Sequence, residues 1–78
     1  MQKGDRVSDL ILNILHAAET PLETKEVVDL VLQKFPLCTR TIVFKRLTDL
    51  RGDGAIKGKH IGSGKGAWIW WRLNAFEE

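Results

Sequence analysis

One cysteine among 78 residues leaves no internal disulfide to form, and the lone Cys38 fits a reducing compartment. No run of about 18 apolar residues occurs, so no membrane-spanning helix is expected. Nor does a basic start lead into an apolar centre, so no secretory signal is expected. His16 and His60 stand far apart without ligand-like neighbours, which argues against a metal site. No nucleophile–base pair is recognisable, so the chain is expected to be no enzyme, with no catalytic residues, no cofactor and no small-molecule substrate. Proline occurs only twice, at Pro21 and Pro36, and each ends a stretch of regular pattern.

What is present is the composition of an ordinary globular protein, 44% hydrophobic and 28% charged, which at this length predicts a single domain over residues 1–78 with a small core. The net charge of +2 says little, but its distribution says more. Residues 37–73 hold eight bases against two acids, a balance of +6, whereas the first 36 hold four against six, a balance of −2. A basic half joined to a mildly acidic half suits a one-sided polyanion binder.

Along the chain, Asp5 can cap a helix over about residues 5–19, in which Val7, Leu10, Ile11, Ile14, Leu15 and Ala18 share one face. Leu22 stands alone among polar residues and can form a very short strand. Thr24 is the expected N-cap of a second helix over about residues 24–35, with Glu26 in its first turn and Val27, Val28, Val31, Leu32 and Phe35 as its buried stripe. Only Pro36, Leu37 and Cys38 separate Phe35 from Thr39, so the next helix must turn steeply away.

That third helix, about residues 39–52, starts at Thr39 as N-cap and buries Val43, Leu47 and Leu50, flanked by Ile42 and Arg46. Gly52 and Gly54 close it. Its outer face carries Arg40, Thr41, Phe44, Lys45 and Thr48, which are costly or idle in a core and suit a groove of DNA. The period then changes from helical to alternating. Ile56–Ile61 and Ala67–Leu73 read as two strands around the tip Gly62-Ser63-Gly64-Lys65-Gly66, a hairpin over about residues 55–73 followed by a short acidic tail at 74–78. Alternation places Trp71 with Ile69 and Leu73 on the expected core face, and Trp68 with Trp70 on the other, where they brace the hairpin or meet a partner.

Helix, short strand, helix, turn, helix and hairpin is the order of the winged helix-turn-helix. The stretch T-R-T-I-V-F-K-R-L-T-D-L-R-G-D-G-A-I and the hairpin ending W-W-R-L resemble the recognition helix and wing of prokaryotic and viral regulators of the MarR and ArsR type. The resemblance implies an α+β fold of three helices and a small antiparallel wing. It also implies a sequence-specific binder of double-stranded DNA, a small transcriptional regulator in the cytoplasm, on the nucleoid, or inside the host cell if viral. By position it implicates Thr39, Arg40, Thr41, Phe44, Lys45 and Thr48 on the helix, and Lys57, Lys59, Ser63 and Lys65 on the wing. Phe44 departs from the small polar residue usual at its place, and either meets a thymine methyl or covers a neighbouring helix or subunit. The long extra helix through which MarR-like regulators dimerise is missing, so a homodimer would have to use the first helix or the tail.

Two other readings need weighing. The tip G-S-G-K-G is no Walker loop, because Gly66 rather than Ser or Thr follows Lys65 and a strand comes next. The alternative to DNA binding is a winged-helix protein-interaction module, using Trp68, Trp70 and Phe76 of the Trp-rich wing.

Overall fold

The structure is a computed structural model that describes residues 6–62 and 66–74. Its elements are α1 (Arg6–Ala17), β1 (Leu22–Glu23), α2 (Thr24–Lys34), α3 (Arg40–Gly52), β2 (Ile56–Ile61) and β3 (Ala67–Arg72). The fold is α+β, three helices and a three-stranded antiparallel sheet in the order β1-β3-β2, the layout of a winged helix.

The apolar stripe of α1 buries Ile11 and Leu15 fully, and Val7, Leu10 and Ile14 pack against them. The helix ends about two residues earlier than expected, its last turn closing with Ala18 N–H on the Ile14 carbonyl at 3.0 Å. The expected cap, Asp5, lies outside the described residues. Past Pro21 the chain runs extended, and Leu22 and Glu23 pair with Trp70 and Ile69. The lone leucine is therefore a strand, joined to the sheet by partners far along the chain.

That pairing also moves the start of α2. Glu23, held extended by its place in the sheet, is the N-cap, and its N–H donates to Glu26 Oε1 at 2.7 Å. Thr24, the expected cap, is instead the first helical residue and is 8% exposed. Its hydroxyl accepts the Trp70 Nε1–H at 2.8 Å, a buried bond between residues 46 apart. Val27, Val28 and Val31 then line the core.

Thr39 caps α3 as expected, its Oγ1 accepting the Ile42 N–H at 3.2 Å. Val43 and Leu47 are buried, and Leu50 is half-buried. At the far end Gly54 takes a φ of +81°, with Gly54 N–H on the Arg51 carbonyl and Ala55 N–H on the Leu50 carbonyl. This pair of bonds closes the helix and reverses the chain into β2.

The sheet corrects one sequence expectation. Trp70, not Trp71, is the core residue, with no exposed surface at all. Trp68 packs beside it, Trp71 is half-buried outside the core cluster, and Leu73 is 44% exposed. The physical reason lies in the register. Gly58 pairs with Trp70, and a Cβ there would come within 2.5 Å of the indole, so only glycine admits the ring. Thr24 meanwhile supplies the acceptor that a buried indole N–H needs. Ile56, two residues before Gly58, completes the same inner face.

Candidate nucleic-acid interface

Helix α3 presents two different flanks. Thr41, Lys45 and Thr48 point outward and are exposed, the Thr48 hydroxyl bonding the Lys45 carbonyl at 2.9 Å and Lys45 meeting Asp49 at 3.5 Å. Such a one-turn surface pair holds its lysine only weakly, so Lys45 stays available to a phosphate. Arg40, Phe44 and Arg51 recur at helical spacing on the side nearest the sheet. Thr39 sits at the start of the helix with its hydroxyl already committed to the cap.

The sheet-side flank rests on aromatic rings. Phe44 meets Trp70 edge-on with ring centres 6.0 Å apart, and Trp70 stacks on Trp68 at 5.3 Å. The Arg51 guanidinium lies 5.1 Å from the centre of the Trp68 ring, and its Nε–H donates to the Gly58 carbonyl at 3.3 Å. His60 closes the row edge-on to Trp68 at 5.7 Å. Contacts of this kind each contribute about 0.5–1.5 kcal/mol beyond area burial. Together they set the angle between α3 and the hairpin. Phe44 thus covers the sheet while leaving 36% of itself exposed.

Arg72 is also structural. Its Nη1 reaches the His16 and Ala18 carbonyls at 3.5 and 3.4 Å, where a cation complements the C-terminal end of α1. Two of the eight bases in the basic half, Arg51 and Arg72, therefore hold the fold together.

Arg40 lines a cleft of about 360 Å³ between the starts of α2, α3 and β3, together with Glu23, Lys25, Phe44 and Trp68. Lys25 is a residue that sequence reasoning missed. Nothing in the chain order joins it to Arg40; the turn between α2 and α3 does.

The structure does not bring Lys57 and Lys59 to this surface. Both are exposed, and the β2 alternation that turns Ile56 and Gly58 inward puts them on the opposite face of the sheet, paired with Trp71 and Ile69. Ser63 and Lys65 of the tip lie outside the described residues, as does Phe76. Trp70 is fully buried and Trp68 stacks on it half-buried, so Trp70 itself offers no surface to a partner protein. Among the described residues no three His, Cys, Asp or Glu side chains gather as metal ligands, and no helix is long and apolar enough to cross a membrane.

The assembled surface is thus an exposed, basic and hydroxyl-bearing helix face, set at a fixed angle to a hairpin by an aromatic row. Compared with known protein families, with curated proteins and with solved structures, the chain matches none.

Proposed function

We propose that this chain is a winged helix-turn-helix domain that binds double-stranded DNA sequence-specifically and serves, without enzymatic activity, as a small transcriptional regulator. The observation that carries the reading is the exposure of Arg40, Thr41, Lys45 and Thr48 together on α3, a helix capped at both ends. A rigid helix of this width enters a major groove, where arginine and hydroxyl side chains read base edges. Arg40 and Thr41 reach base edges, Phe44 offers its exposed edge to a thymine methyl, and Lys45 and Lys25 take phosphates. The wing tip, with Ser63 and Lys65, meets the adjoining backbone. Lys57 and Lys59, on the far face, contribute field rather than contact.

On this assignment about three or four phosphates are neutralised. Titration at varied salt should then give a log–log slope near −3. Selection on random duplexes should yield a preferred site, on which Arg40→Ala costs about 1–3 kcal/mol, against a small and sequence-independent loss for Lys57→Ala. A flat salt response, or selection without a consensus, would overturn the proposal.

A further inference from the structure

The outer face of the sheet carries chemistry that neither the core nor the α3 surface uses. Along β3 it presents Ala67, Ile69 and Trp71, all outside the core cluster. Ile61 is 41% exposed beside Ala67, and Leu73, 44% exposed, follows just past the strand. Lys59 and Lys57 stand in register with Ile69 and Trp71, both exposed, and Glu23 borders Ile69 from the β1 side. At the Lys57 end the face runs into a cleft of about 490 Å³ lined by Arg51, Ile56, Lys57 and Leu73. Ile61 and Leu73 exposed at its two ends, with Ile69 and Trp71 partly exposed between them, make one side of this small domain apolar, and such a face marks an interaction site.

We propose that this face docks an acidic, apolar segment of a partner protein, seated with its hydrophobic side chains on Trp71, Ile69 and Leu73 and its carboxylates on Lys57 and Lys59. Charge complementarity selects this occupant. A second copy of the chain would bring the same two lysines together across a two-fold axis, a like-charge contact that works against association. Single-stranded nucleic acid stacks on successive rings, and this face offers one ring among aliphatic side chains. The domain then has two working surfaces, α3 for DNA and the back of the wing for a protein, with β3 between them.

The test is a random-peptide selection on the whole chain, followed by affinity measurements on variants. Enriched peptides should carry Asp or Glu around an apolar core. Their affinity should fall about tenfold with Trp71→Ala and with the double change Lys57→Glu, Lys59→Glu, and stay unchanged with Arg40→Ala. The charge reversal sits on exposed side chains, so it keeps the test decisive should Trp71→Ala fail to fold. Failure to enrich acidic peptides, or binding indifferent to the charge reversal, overturns the proposal. So does a concentration-dependent dimer in sedimentation that the reversal abolishes, which would make a second copy the occupant. A loss of duplex affinity as large as that of Arg40→Ala would instead assign the face to DNA. Because the peptide readout is independent of duplex binding, it can fail while the DNA reading stands, and the reverse.

Discussion

Trp70 and Trp71 are neighbours of one residue type on one strand, and they lead opposite lives. Trp70 is wholly enclosed, with its N–H on Thr24, Trp68 stacked on one side and the Phe44 ring set nearly perpendicular to it on another. Trp71 sits outside the core, across from Lys57 on the back of the sheet. The difference teaches that a strand's inner face is chosen by what the neighbouring strands and helices can accommodate. Gly58 leaves a gap of the shape of an indole, and Thr24 offers an acceptor at its rim. Trp71, opposite Lys57, faces the other side of the sheet and has no such gap to fill.

The sharpest way to break this comparison is to truncate each ring in turn. Trp70→Ala should cost about 3–5 kcal/mol, a large share of the stability of a small domain, and leave much of the protein unfolded by circular dichroism. Trp71→Ala should cost about 1 kcal/mol, a drop of roughly 4–8 °C in Tm. Equal losses would place both rings in the core and refute the register.

A smaller effect tests the gap itself. Gly58→Ala puts a methyl against the Trp70 ring and the Arg51 Cδ, where the Cβ would stand 2.5 and 3.2 Å away. The cost should be about 1–3 kcal/mol by urea unfolding, with the indole emission shifted to the red as the ring is displaced. The same alanine at Gly52, where a Cβ meets nothing, should raise stability slightly, since alanine is the better helix former.

The acceptor can be removed while the volume is kept. Thr24→Val strands the indole N–H in the core and should cost about 1–3 kcal/mol, whereas Thr24→Ser, which keeps the hydroxyl, should recover most of that loss. If valine and serine behave alike in thermal unfolding, the Trp70–Thr24 bond contributes nothing. Least in size is Arg51→Ala, which removes the cation above Trp68 and the bond to Gly58. It should cost about 0.5–1 kcal/mol and show mainly as faster amide exchange in β2.

Much of this molecule was legible before any fold was known, wherever the signal was local. The stripe from Val7 to Leu15, the Thr39 cap, the Gly54 stop and the hairpin around residues 62–66 each follow from side-chain period or backbone sterics over a few residues. The exposed face of α3 followed from the same period. The back of the wing was nearly legible too. A five-residue tip pairs Gly58 with Trp70 and Lys57 with Trp71, and the lysine side of such a pair is the outer one.

What the sequence by itself determined is therefore the kind and order of elements, because caps, stops and alternation act between near neighbours. Only the tertiary structure decided which tryptophan the core would take, that Thr24 would serve Trp70 rather than cap α2, and that Arg51 and Arg72 would be fold-holding cations. It also separated Lys57 and Lys59 from the α3 surface and brought Lys25 beside Arg40. Each of these depends on groups far apart in the chain, such as Thr24 and Trp70, or Arg72 and the end of α1. Alternation divides a strand into two faces that are equivalent until another element covers one of them. Packing, through one missing Cβ and one hydroxyl, broke that equivalence.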